Sequence, residues 1–357
     1  MAGLYIHIPF CKKRCLYCDF FSTTQLEKRD AYVAALIREI EERKDEVGEP
    51  IQTVYIGGGT PSTLSLESMT ALNKHLISTC IGEYTVEINP GDATKEYLKG
   101  LRSLGVNRLS MGIQSFQDEL LQLIGRRHNA QQAIEAVQMA QEAGFENISI
   151  DLMYALPTQT MDQWKAGIET ALQLGVQHIS SYGLIYEEGT AMTKMLEAGQ
   201  IEAIDEETEN GMYDYLCERL KEAGFVHYEV SNFALPGYEA KHNSNYWNGT
   251  PYIGIGAGAH SYVPPVRSWN ESNVEAYIAG TQQRGSETLT ETDLYNESIM
   301  LGLRTNRGIV LPISSQSRSK VERLAQNGLV RITDDDHVVA TQKGLHILNI
   351  IIEELMI

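Results

Sequence analysis

Positive charge is scarce in this chain of 357 residues: 29 lysines and arginines stand against 47 acidic residues, a formal net charge of -18. No basic run is long enough to form a stripe, which argues against nucleic acid as a partner, because phosphate binding needs clustered cations. Long apolar runs are missing too. The Ile/Leu-rich stretch from Leu345 to Ile357 is interrupted by His346, Asn349, Glu353 and Glu354, so nothing reads as a bilayer span, although contact with a membrane surface stays open. The start lacks a basic region followed by an apolar run, so no secretory signal is read and a cytoplasmic protein is expected. Hydrophobic residues at 43% and charged residues at 21% are ordinary for a globular chain, with room for roughly two or three domains.

Cysteine is rarer still, five in all. Three of them, Cys11, Cys15 and Cys18, nevertheless fall together as C-x3-C-x2-C. In a reducing compartment such clustering points to metal or redox use rather than pairing. Cys80 and Cys217 stand alone and read as ordinary buried residues. A cubane cluster is usually held by four thiolates, so three imply either a distant fourth ligand or an iron open to a small molecule. A structural zinc, with His7, Asp19 or a remote residue as fourth ligand, is the alternative. Zinc sites usually come as paired C-x2-C knuckles, and the chain has no second one. A helix face carrying all three is disfavoured by Pro9 and the charged neighbours, and the spacing favours the cluster.

Along the chain, strands alternate with helices. Leu4–Ile8 reads as a strand closed by Pro9, Arg29–Val47 as a helix, and Ile51–Ile56 as a strand running into Gly57-Gly58-Gly59-Thr60-Pro61. Strands follow at 84–88, 108–113, 147–153 and 178–184, with helices near 66–77, 94–104, 130–143 and 161–174 between them. Six such strands fit a complete or partial β/α barrel, with ligand residues at the C-terminal strand ends. A helix at 206–223 and a strand at 224–230 precede a loop-rich stretch. The last residues, with a helix at 319–326, a hairpin turning at Thr333–Asp336 and a final helix from Gly344, read as a small α+β domain of winged-helix appearance. The division expected is a barrel over 1–225, a connecting region over 226–290 and an accessory domain over 291–357. Gly254-Ile-Gly256-Ala-Gly-Ala259 satisfies a dinucleotide fingerprint, but Pro264-Pro265 cannot continue the helix it would need.

The cysteine spacing, Tyr17 before the last cysteine and the Gly-Gly-Gly-Thr-Pro run resemble the radical S-adenosylmethionine family. That resemblance implies a partial (β/α)6 radical-SAM barrel in which Cys11, Cys15 and Cys18 hold a [4Fe–4S] cluster. The methionine end of S-adenosylmethionine would then chelate the open iron. Tyr5-Ile-His-Ile-Pro-Phe-Cys11, Glu87-Ile-Asn-Pro90, Gly112-Ile-Gln-Ser-Phe116 and Asp151-Leu-Met-Tyr-Ala-Leu-Pro157 resemble the oxygen-independent coproporphyrinogen oxidase-like branch. The resemblance implies that Tyr5, Gly58 and Glu87 contact a first S-adenosylmethionine. It implies that Tyr17, Gly59, Thr60, Gln114, Arg126 and Asp151 contact a second.

Two departures separate the chain from the porphyrinogen-converting enzymes. They carry a further cysteine where this chain has Phe20, and an extension before the first strand. His242-Asn243-Ser-Asn-Tyr246-Trp247 also matches the H-N-x-x-Y-W motif of the heme-chaperone branch, which implies heme as a third ligand. An imidazole can ligate iron, and Tyr246 and Trp247 can stack on a macrocycle. His7, His227 and His260 are the other ligand candidates. The resemblance therefore implies a heme chaperone with client hemoproteins such as cytochromes, and a homodimer. A radical enzyme acting on a porphyrinogen is the alternative reading.

Overall fold

The computed structural model describes residues 2–76, 82–310 and 315–357. The alternation builds six parallel strands paired in chain order: β1 (Ala2–Ile8), β2 (Ile51–Gly58), β3 (Glu83–Ile88), β4 (Arg108–Gln114), β5 (Ile148–Tyr154) and β6 (His178–Gly183). Helices Arg29–Arg43, Leu66–Asn73, Lys95–Ser103, Ala130–Glu142 and Met161–Gln173 return the chain between them. Several helix starts are written locally. Thr94 accepts from the Tyr97 N–H, and Asn129 and Thr160 form capping boxes with Gln132 and Gln163. Such a cap contributes about 1 kcal/mol. The second helix ends at Asn73, short of Ile77, which lies outside the described residues, as does Cys80.

Strand side chains alternate between two faces. Leu4, Ile6 and Ile8, Val54 and Ile56, and Leu109 and Met111 meet Leu36, Ile40, Leu72 and Leu98 of the helices in one buried core. The intervening positions form the inner face and are largely polar: Thr53, Thr85, Arg108, Ser110, Ser149, His178 and Ser180 are all buried. A closed eight-stranded barrel fills its interior with branched apolar side chains. This partial barrel carries polar groups there instead, which must find partners in one another or in a ligand.

Among the described residues the sheet extends to twelve strands. β7 (Val226–Glu229) and β8 (Asn232–Ala234) add antiparallel to β6. β9 (Tyr252–Ile255) pairs parallel to the free edge of β1, and β10 (His260–Val263), β11 (Val266–Asn270) and β12 (Arg284–Thr288) continue outward antiparallel. The stretch read as loop-rich is thus strand and helix, because Lys241–Trp247 is helical. Its start carries no side-chain cap of its own. Glu83 supplies one from 158 residues upstream, accepting the Lys241 N–H at 2.9 Å, and accepts the His242 N–H at 3.0 Å. The glycine fingerprint opens no helix. β9 leads through a turn into β10, and a Cβ at Gly254 would collide with the His260 carbonyl.

A second apolar core gathers Ile299, Leu303, Val321, Leu324, Ile351 and Leu355. It lies between helices Glu291–Gly302, Ser315–Gln326 and Leu348–Leu355 and a small antiparallel sheet of β13 (Ile309–Val310), β14 (Val330–Ile332) and β15 (His337–Ala340). The hairpin turn falls where expected, with the Thr333 N–H donating to the His337 carbonyl at 2.8 Å. No helix of the described residues is long and apolar enough to cross a membrane.

Candidate functional site

The cysteine loop leaves the C-terminal end of β1 and is pinned at base and middle. The Cys11 N–H donates to the Thr23 carbonyl at 2.8 Å, the Thr23 N–H to Pro9 at 2.6 Å, and the Leu16 N–H to Ile124 at 3.1 Å. Met192 N–H closes on the Leu16 carbonyl at 2.9 Å. Cys11 is buried, Cys15 and Cys18 are half-buried, and all three are free thiols. The Thr60 hydroxyl donates to Cys11 Sγ and Arg126 Nη1 to Cys15 Sγ, each at 3.4 Å. Burial pushes the Cys11 and Cys18 thiols up. Among the described residues no three His, Cys, Asp or Glu side chains converge on one metal position. Three free thiols on one pinned loop are the donor type that an iron–sulfur cluster takes.

Beside the loop the end of β2 is stripped of side chains. A Cβ at Gly59 would stand 2.9 Å from the Pro9 carbonyl carbon and 3.1 Å from Cys11 Sγ. Gly58 has φ 112°, and a Cβ there would meet the His7 ring at 2.6 Å. Glu87, at the end of β3, accepts from Tyr55 Oη at 2.8 Å and from the Gly58 N–H at 3.1 Å. Burial pushes its carboxyl up to about 7 despite the Tyr55 bond. Tyr5 hydrogen-bonds His7 Nδ1 at 2.9 Å, and His7 Nε2 reaches the Phe21 carbonyl of the cysteine loop at 3.0 Å.

The remaining residues named for the second cofactor gather at the same end. Gln114 sits at φ 72°, where β4 slips its register against β5. Gly112 lets both Gln114 Nε2 and Arg126 Nη2 approach, and Arg126 Nη2 donates to the Gly112 carbonyl. Among the described residues Arg126 Nε has no hydrogen-bond partner. Burial works against that guanidinium, but Tyr17, Cys15 and Asp151 around it outweigh burial and raise it. Burial raises Asp151, which accepts from Ser110 Oγ at 3.2 Å. Tyr17 is likewise raised by burial. Tyr5, Tyr17, Gly58, Gly59, Thr60, Glu87, Gln114, Arg126 and Asp151 therefore share one end of the barrel with the cysteines.

The H-N-x-x-Y-W helix lies at the other end. His242 is 0% exposed. Its Nδ1 is bonded to Thr53 Oγ1 at 2.9 Å and its Nε2 to Tyr246 Oη at 2.8 Å, so neither nitrogen is open to an iron. Burial pushes the imidazole down to about 3. Its ring stacks on Tyr55, with centroids 5.2 Å apart. Asn243 is half-buried. Trp247 lines a cleft of ≈ 810 Å³ at the N-terminal strand ends, together with Thr53, Tyr228, Glu229, Lys241 and Arg307. His227 lies flat on Phe233 at 4.2 Å, and only His260 remains exposed of the ligand candidates.

Sequence reasoning missed Thr53, Tyr55 and Arg108. Arg108 is 1% exposed, and its Nε and Nη1 find no hydrogen-bond partner among the described residues. The signal was available in part, since all three occupy the inner-face positions of their strands.

Residues 5–171 match the Radical SAM superfamily, and the chain is a member of that class. The heme chaperone HemW of Lactococcus lactis subsp. lactis is 37% identical, with 99% of this chain and 97% of that protein aligned. HemW of Bacillus subtilis is 40% identical over 87% of this chain and 85% of its own length. The mitochondrial radical S-adenosyl methionine domain-containing protein 1 of Danio rerio is 33% identical over 100% of this chain and 87% of its own. The fold superposes on the coproporphyrinogen III oxidase HemN of Escherichia coli with a TM-score of 0.83 at 24% identity, covering 99% of this chain and 90% of that one. The chain belongs to the HemW family.

Proposed function

We propose that this protein is a cytoplasmic heme chaperone, which binds heme and passes it to client hemoproteins such as cytochromes. The observation that carries the reading is the end-to-end likeness to a relative named as a heme chaperone, 37% identical across 99% of the chain. Phe20 supports it. Where the porphyrinogen-converting enzymes carry a further cysteine, this chain presents a phenylalanine that is 63% exposed.

In this reading Cys11, Cys15 and Cys18 hold a [4Fe–4S] cluster, and residues 1–225 form the cofactor barrel, 226–290 the connecting region and 291–357 the accessory domain. The cluster supplies one-electron chemistry when bound. Tyr5, Gly58 and Glu87 bind S-adenosylmethionine, with the glycine backbone offering close approach and Glu87 offering an acceptor for hydroxyl groups. Arg126 and Asp151, with Tyr17, Gly59, Thr60 and Gln114, provide charge and hydrogen bonds for a second molecule.

The intact cofactor end favours a second reading, a radical enzyme acting on a porphyrinogen. One anaerobic comparison separates them. Reconstituted protein receives either coproporphyrinogen with S-adenosylmethionine, or heme followed by an apo-cytochrome. Heme uptake and transfer without porphyrinogen turnover is expected, and turnover to protoporphyrinogen would sink the chaperone reading.

A further inference from the structure

Arg108 opens β4 on the inner face of the barrel, 1% exposed, and its Nε and Nη1 find no hydrogen-bond partner among the described residues. A guanidinium stays protonated in proteins, and burying one is costly unless opposite charge lies close by. Strand register shows where that charge is. Arg108 lies opposite Thr85, and two residues further along both strands Ser110 lies opposite Glu87. Alternate residues of a strand share a face, so Arg108 stands one step below Glu87 on the same wall. Ser110 also donates to Asp151 at 3.2 Å. Glu87 and Asp151 are thus the acids of the layer above the guanidinium.

The field of Arg108 reaches across the barrel interior. Burial raises the carboxyls of Glu87 and Asp151, and Arg108 acts against that rise. Burial lowers His178 and His242, and Arg108 lowers both further. The other groups facing Glu87 are Tyr5 on β1, Tyr55 and the Gly58 N–H on β2, Asp151 on β5, Tyr182 on β6 and Tyr246 of the motif helix. None of these is a cation. Asp151 has Arg126 as well as Arg108 near it, whereas the cation acting on Glu87 is Arg108.

Tyr182, on the inner face at the end of β6, is 44% exposed, so the interior is open at the cofactor end. A hydroxyl bonds an ionised carboxylate about twice as strongly as a neutral acceptor, and a carboxylate also suits a sulfonium cation. We propose that Arg108 is a positioning residue for S-adenosylmethionine, which acts through Glu87 by holding it as the carboxylate that accepts the cofactor's hydroxyls. The proposal rests on the reading in which Glu87 binds S-adenosylmethionine.

The test is equilibrium dialysis of labelled S-adenosylmethionine against the anaerobically reconstituted full chain, without reductant, from about pH 6 to about pH 9. Wild-type binding is expected to weaken as pH falls through about 7, where Glu87 takes up its proton. Arg108→Met keeps a long side chain without the charge. Its midpoint is expected to rise by about one unit, so that binding falls about fivefold at neutral pH and recovers at the alkaline end. Arg108→Lys should keep the wild-type midpoint, and Glu87→Gln should remove the pH dependence. Circular dichroism and iron per chain confirm that each variant is folded and loaded, and Arg108→Gln replaces the methionine variant if that one does not fold. An unchanged midpoint in the charge-removing variant would overturn the inference and leave the cofactor reading standing. So would a loss that is equal at every pH, or a wild-type pH profile in Glu87→Gln. A wild-type chain that binds no S-adenosylmethionine would overturn the cofactor reading, and this inference with it.

Discussion

Glu83 organises a helix it does not belong to, and its removal gives a measurable local loss. Its two carboxylate oxygens accept the N–H groups of Lys241 and His242 at 2.9 and 3.0 Å, and Glu83 is 4% exposed. In Glu83→Ala both donors lose their acceptor at the start of the helix, where no side chain of residue 240 can replace it. An unsatisfied buried donor costs about 1–3 kcal/mol, so the pair costs about 3 kcal/mol in local stability. Hydrogen exchange read by mass spectrometry on a peptide spanning 240–248 is the direct assay. The loss corresponds to exchange faster by about a hundredfold, with peptides of β4 and β5 unchanged. Glu83→Gln keeps one carbonyl acceptor and is expected to fall midway. A Glu83→Ala peptide that exchanges within threefold of wild type would refute the reasoning.

Replacing Cys11, Cys15 or Cys18 by serine is expected to remove iron and sulfide from anaerobically reconstituted protein, measured as metal and acid-labile sulfide per chain, with the helical signal retained. Gly59→Ala puts a Cβ 2.9 Å from the Pro9 carbonyl carbon and 3.1 Å from Cys11 Sγ; the loop must shift, and cluster loading should fall by half or more while the melting temperature drops by only a few degrees, a cost of about 1 kcal/mol. Glu229 is 2% exposed, and burial raises its carboxyl from 4.5 to about 7. The folded chain therefore holds this proton more tightly than the unfolded one. Stability is greatest below pH 4.5 as far as this group is concerned, and falls as pH rises through the window to about 7, by about 3 kcal/mol in total. Glu229→Gln should flatten that part of the melting-temperature profile, and an unchanged slope would contradict the assignment.

The barrel was legible because its signals are local. Apolar periodicity and the glycines after β2 lie within a few residues of what they control, as do the caps that the structure shows at Thr94, Asn129 and Thr160 and that were not read from the sequence. Of the region 226–290, the strand read at 224–230 corresponds to β7, but most of the rest was not legible. Its strands are three to five residues long, too short for alternation to register, and the cap of Lys241–Trp247 comes from β3. The residues assigned to cofactors were grouped by the family resemblance. The position of His242 could not, because the return of the chain beneath the barrel depends on Glu83 and Thr53, which look like ordinary strand residues in isolation.

That return explains why a polar interior is tolerated. Inner-face residues near the C-terminal ends, Glu87 and Asp151, face the space beside the cysteine loop, whereas those near the N-terminal ends would face solvent or one another. The motif helix closes that lower end. His242 takes up the hydroxyls of Thr53 and Tyr246, and its ring covers Tyr55. Tyr55 then spans the two ends, stacked below on His242 and hydrogen-bonded above to Glu87 at 2.8 Å. Tyr5 does the same through His7 to the cysteine loop, its ring 6.5 Å from His242. Removing the His242 ring would open a cavity under both tyrosines and leave two hydroxyls without that partner. A defect in that motif would therefore reach Glu87 and the cysteine loop through Tyr55 and Tyr5. Loss of heme on changing His242 is thus weak evidence for ligation, and the iron–nitrogen spectrum, not the affinity alone, is the measurement that assigns the ligand.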